Sequence, residues 1–188
     1  MSETELVFAY TYEGNHHSHT GTAMIRIRPR PGSNISRFYE NLVPVGQPRF
    51  ANDNTNTDQA SNQLVQFFLK MFFGRRPELT PRTAAGTPVF LLDGQVGTQT
   101  IKGIKIFQDF TLRNGNPLIN DSRVSVAIGN TVPGTATFWT IHAMNGQFVL
   151  DFGKEQFETL SFNPVLATVA PQLTLELLQE EQLLAAAP

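Results

Sequence analysis

Two short segments near the start of the chain constrain its fold most. In ELVFAYTYE, Leu6, Phe8, Tyr10 and Tyr12 alternate with Val7, Ala9 and Thr11. In TGTAMIRIRPR, Ile25 and Ile27 alternate with Arg26, Arg28 and Arg30. A side-chain period of two with aromatic and β-branched enrichment is the pattern of a strand. The segments flank GNHHSHTG, so residues 5–28 are predicted to form an antiparallel hairpin. Pro29 and Pro31 end its second arm, because proline gives no donor to a ladder.

A polar loop follows over residues 45–57, rich in Asn and Thr. The period then changes. Leu64, Phe67, Phe68, Met71 and Phe72 recur at helical spacing, which predicts a helix over about 58–73. Asp58 or Ser61 is placed to cap its start, and Gly74 to take a left-handed position at its end. Further strands are expected near 88–92, 100–112, 122–128, 135–144, 147–152 and 157–162. Gly103 reads as a bulge, and the Asn-Gly of AMNGQF as a hairpin turn. A helical tail spans 170–188. Pro171 stands at a first helical position, and Leu173, Leu177 and Leu184 share one face, giving a helix over about 171–186. The expected fold is a single domain over residues 1–188, mainly β (α+β). It is an antiparallel β-sandwich or partly closed barrel carrying these two helices.

Composition narrows the function classes. The chain has no cysteine, which excludes disulfides, thiolate catalysis and Cys-ligated metal. Charged residues are only 16%, against about 25% in an ordinary soluble protein. Phenylalanine is used 15 times, and large rigid rings suit a packed core or an interface. The N-terminus lacks the basic and apolar regions of a signal peptide, so none is expected. No apolar run reaches the ~18 residues of a membrane span. Residues 1–85 carry nine Lys/Arg and seven Asp/Glu, whereas residues 86–188 carry five and nine. Such asymmetry can steer head-to-tail association.

The candidate sites are few. His17 and His19 form an H-x-H pair, which on a strand presents both rings to one side. With His142 they are the candidate metal ligands. Arg26, Arg28 and Arg30 form one face of a strand. Arginine forks suit protein interfaces, and without an aromatic nucleic-acid motif phosphate binding is disfavoured. Phe67, Phe68, Phe72, Phe73, Leu177 and Leu184 complete the candidate interface set. Asn52, Asn54, Asn56 and Asp58 offer oxygen ligands, but Thr57 and Gln63 stand where a calcium loop needs Gly and Glu. Asp109 and Asp151 are two carboxylates whose separation nothing in the sequence sets. No nucleophile elbow, phosphate loop, dinucleotide fingerprint or H-E-x-x-H occurs.

The expectation is therefore a non-enzymatic structural protein without a cofactor. It would form a homo-oligomer or lattice with itself or other structural proteins through strand edges, loops and the apolar helix. It would act in a virion (phage capsid, cement or tail) or a cytoplasmic assembly. The alternative is a small β-barrel holding an apolar ligand or sugar among Phe8, Tyr10, Phe138, Phe148 and Leu150. A metal-dependent barrel enzyme built on His17, His19 and His142 ranks last.

Overall fold

The structure is a computed structural model and describes residues 23–186. It overturns the β-sandwich or barrel expected from the sequence. About 48% of the described residues are helical, in six α-helices, beside two small two-stranded sheets and no closed sheet. Strand β1 (Ile25–Pro29) pairs antiparallel with β2 (Arg37–Asn41). Strand β3 (Val45–Gly46) pairs with β4 (Arg123–Val124). The helices are α1 (Gln59–Gly74), α2 (Thr98–Arg113), α3 (Thr140–Phe152), α4 (Lys154–Glu158), α5 (Pro164–Val169) and α6 (Pro171–Ala186). Residues 5–22 of the expected hairpin, with its GNHHSHTG loop, lie outside the described residues. The arm that is described, β1, has β2 as its partner.

Helix α1 forms where its period predicts. Asp58 is the cap, and its side chain accepts from Ser61 N at 2.8 Å. The C-terminal end differs from expectation. Gly74 is the last helical residue, and Arg75 caps with φ −91° rather than a left-handed glycine. The other expected helix is α6.

Two regions read as strands are helices. In TIKGIKIFQDFTL the buried positions are Thr100, Gly103, Ile104, Phe107, Gln108 and Thr111, a period near 3.6 that the alternation of Ile and Lys masks. Gly103 is no bulge. It lets α2 approach a ring, since a Cβ there would stand 2.6 Å from Phe90 Cε2. The supposed hairpin turn Asn145–Gly146 lies inside α3, whose buried side includes Ile141, Met144, Asn145 and Phe148. Segment 157–162 is the end of α4 plus a turn of 3₁₀ helix, and 88–92 is irregular apart from one isolated bridge at Pro88.

The core sits around α1. Phe67 packs on Phe148 of α3 with centroids 5.9 Å apart, Phe72 on Phe107 of α2 at 5.1 Å, and Phe73 on Phe90 at 5.3 Å. Burial of each such ring contributes about 1.5–3 kcal/mol. The barrel interior imagined for a ligand has no counterpart among the described residues. Phe148 lies in this core, while Leu150 is 80% exposed on α3 and Phe138 is 42% exposed.

Candidate functional site: a buried charge cluster beside an open cleft

The β1–β2 ribbon has two faces of opposite chemistry. Ile25, Ile27 and Tyr39 enter the core on one face. Arg26, Arg28, Phe38 and Glu40 occupy the other, and all four are buried. Register explains the pairing, because Arg26 lies directly opposite Glu40. Glu40 is 0% exposed and Arg26 1%, so their ion pair is desolvated. Arg28 Nη2 reaches Glu40 Oε2 at 3.1 Å. His142, from α3, brings Nε2 to 2.5 Å from the same oxygen. Burial alone would raise the Glu40 pKa. The hydrogen bond from His142 and the charges of Arg26 and Arg28 outweigh it and hold the carboxyl well below its usual range. Burial, helped by the charge of Arg28, pushes His142 down against the pull of Glu40. The cluster thus sets an ionised Glu40 against an imidazole whose Nε2 lies at its carboxylate.

Backbone groups on both outer edges of the ribbon are engaged by helix side chains. Ile27 and Tyr39 form a pair whose backbone groups point away from the ladder. Tyr39 N donates to Asn145 Oδ1 at 2.8 Å, and Asn145 Nδ2 donates back to Tyr39 O at 2.9 Å. On the other edge Ile27 N donates to Glu180 Oε1 at 3.4 Å and Met24 N to Glu176 Oε1 at 2.8 Å. Arg37 pairs with Glu181 of the same helix, α6.

Arg28 also anchors the segment before α3. Its guanidinium donates to Gly129 O at 3.0 Å and Asn130 Oδ1 at 3.3 Å. That segment continues into an open cleft whose lining includes Val132, Phe138, Trp139 and Thr140. Arg49, Ile119, Asp121, Arg123 and Ser125 complete the lining. Arg123 is the fixed member. Nη1 binds Asp53 Oδ2 at 3.1 Å and Thr55 Oγ1 at 2.6 Å, and Nε donates to Ser125 Oγ at 3.3 Å.

The residues singled out from the sequence are distributed as follows. His17 and His19 lie outside the described residues, and His142 is in the charge cluster. Among the described residues no group of three or more His, Asp or Glu side chains is placed to hold a metal ion. Arg26 and Arg28 are inside the molecule, and Arg30 lies over the Phe38 ring at 4.3 Å. Phe67, Phe68, Phe72, Phe73 and Leu177 are core residues, with Leu184 packed partly against them. Asp151 is held in a fork by Arg76 at 2.7 and 2.9 Å, while Asp109 pairs with Lys105 four residues before it. Asn56 exchanges hydrogen bonds with the Gly46 backbone, and Asp58 caps α1. Sequence reasoning passed over Glu40, Asn145, Glu176, Glu180 and the Arg49–Arg123 pair. The signal for Glu40 was in RFYEN, a second alternating segment with a carboxylate on the parity facing the arginines.

No protein-family model, no curated protein and no solved structure matches this chain. Among the described residues no helix is long and apolar enough to cross a membrane.

Proposed function

We propose that the chain is a non-enzymatic structural protein that assembles into a homo-oligomer or lattice. The specific form we propose is a virion component: a phage capsid, cement or tail protein. The observation that carries the assembly reading is the polarity of α6. Its glutamates are directed inward or sideways, Glu176 and Glu180 to the β1 backbone and Glu181 to Arg37. The outward side, Gln172, Leu175, Gln179, Gln182 and Ala186, carries no charge, and Leu175 is 52% exposed. Leu173 and Leu177 face the core as in an ordinary surface helix, but the charges that such a helix turns outward are here turned inward. An outer face free of charge shares the charge depletion of an interface core. The low overall charge agrees with this reading, as does a buried charge cluster whose members are bound to one another.

Light scattering on the purified chain over a range of concentrations tests it. The expected mass is a whole multiple of 20.9 kDa. Leu175→Glu with Gln179→Glu is expected to return the monomer without loss of helix content. A strict monomer at high concentration would overturn the reading. Neighbouring genes for other capsid or tail components would support the virion form.

A further inference from the structure

Asparagine loses its side-chain amide most readily when glycine follows it, because glycine has no Cβ to shield its backbone nitrogen from the asparagine Cγ. The chain carries two such pairs, Asn114–Gly115 and Asn145–Gly146, and the fold treats them oppositely. Asn145 is 0% exposed, its Oδ1 and Nδ2 are bound to Tyr39 and Ile141, and Gly146 sits in the middle of α3. Asn114 caps the C-terminal end of α2, and Asn114 to Pro117 are all exposed. Gly115 turns the chain there with φ +86°, and the space around it is open, since a Cβ built on it meets nothing within 4 Å. Two hydrogen bonds of the last turn hold the pair in place. Asn114 Nδ2 donates to Phe110 O at 2.9 Å, and Gly115 N donates to Leu112 O at 3.0 Å. Both lie at an exposed helix end, where local opening costs least. Asp93–Gly94 could close the same ring, but Gly94 N is tied to the buried Gln66 Oε1 at 2.8 Å.

From this contrast we infer that Asn114 is a site of spontaneous deamidation, and that its conversion loosens the end of α2. When the last turn opens, the deprotonated backbone nitrogen of Gly115 attacks Asn114 Cγ. The N–Cγ bond forms, the Cγ–Nδ2 bond breaks, and Nδ2 leaves as ammonia, leaving a five-membered succinimide. Water then opens the ring. Attack at Cγ gives aspartate, and attack at the backbone carbonyl gives isoaspartate, with the chain running through Cβ. One water enters and one ammonia leaves, and nothing is oxidised or reduced. Either product exchanges the donor that met Phe110 O for a carboxylate, a negative charge at the negative end of a helix. The contact it strains is the one that folds the chain back over this end, Asn116 N to Thr111 O at 3.1 Å.

Incubation of the intact folded chain near neutral pH tests this, with peptide mapping by mass spectrometry following aspartate and isoaspartate at both Asn-Gly pairs. Asn114 is expected to convert at least about tenfold faster than Asn145, whose ring closure needs the core to open. In urea, where only the dipeptide counts, the two are expected to convert at similar rates. Gly115→Ala shields the attacking nitrogen and is expected to slow Asn114 while leaving Asn145 unchanged. Asn114→Asp, made directly, is expected to speed amide exchange at Gly115 and Asn116 about two- to fivefold, the effect of an unfavourable charge in the last turn, with the amides of α1 unchanged. Equal rates at Asn114 and Asn145 in the folded protein would overturn the inference. So would an undiminished rate in Gly115→Ala, or unchanged exchange in Asn114→Asp. A monomeric protein would convert as readily, so this result stands or falls apart from the assembly reading.

Discussion

The Phe38 ring lies flat on the His142 imidazole, with centroids 3.6 Å apart and planes within 7°. The stack covers the face of the imidazole and leaves its edge, through Nε2, to Glu40. His142 therefore links the polar face of the ribbon to α3. Because burial holds the folded His142 below its ordinary value near 6.5, the unfolded chain takes up the imidazole's second proton first as the pH falls. In that window the unfolded state binds more protons, so stability drops as pH is lowered from 7 toward 5. Asp58 and Glu176, both raised by burial, act in the opposite direction. His142→Gln keeps a donor for Glu40 and removes the titration. Urea midpoints at pH 7 and pH 5 are expected to differ less in His142→Gln than in the parent.

Glu40 is the single carboxylate shared by Arg26, Arg28 and His142. Glu40→Ala removes the acceptor and leaves two guanidinium groups in a dry site. The expected loss is about 3–5 kcal/mol, the cost of breaking a buried ion pair from one side. Equilibrium denaturation measures it. A loss under about 1 kcal/mol would mean that water reaches the cluster, since exposed pairs contribute that little.

Asn145 holds the ribbon to α3 through both backbone groups of Tyr39 and also donates to Ile141 O at 2.8 Å. Asn145→Ala strands the Tyr39 amide and carbonyl against a helix. We expect a cost of about 1–3 kcal/mol per group left unsatisfied. Amide exchange supplies the residue-level check, with Tyr39 N–H losing protection before the amides of α1.

At Gly103 helix propensity and packing oppose each other. Alanine in a helix interior is favoured over glycine by about 1 kcal/mol. The added methyl, however, would meet Phe90 Cε2 at 2.6 Å and Phe73 Cε2 at 3.3 Å. Overpacking of this kind costs about 1–3 kcal/mol, so Gly103→Ala is expected to destabilise. In a Phe90→Ala background the sign should reverse, because the ring that forbids the methyl is gone. Thermal melts of the four proteins close the cycle.

Much of the helical part was readable from the chain. The spacing of Leu64, Phe67, Phe68 and Phe72, with Asp58 ahead of it, specifies one buried face and a cap for α1. Pro171 and the leucines after it do the same for α6. Elsewhere, short-range signals competed with the helical period. Ile101, Lys102, Gly103, Ile104 and Lys105 nearly alternate, and only the neighbours Phe107, Gln108 and Thr111 reveal the helical face. Asn145–Gly146 is a strong turn dipeptide in isolation, yet Asn145 gains three hydrogen bonds in α3 that a turn would not give it. Arg26, Arg28 and Arg30, alternating along one strand, read as an interface face because a row of guanidinium forks suits a partner's carboxylates. Burial becomes affordable only through Glu40, which is distant in sequence and opposite in register. The guanidinium pair of the cleft, Arg49 and Arg123, is brought together by tertiary contacts, to which no local period points.

Side chains from two helices occupy the flanks of the β1–β2 ribbon, Asn145 on one and Glu176 with Glu180 on the other. Where Ile27 and Tyr39 are engaged in this way, the ribbon gives no free donor to an incoming strand, whose pairing is the usual route to runaway fibre growth. A contact made at this part of the ribbon is one of side chain on side chain, which a single charge can dissolve.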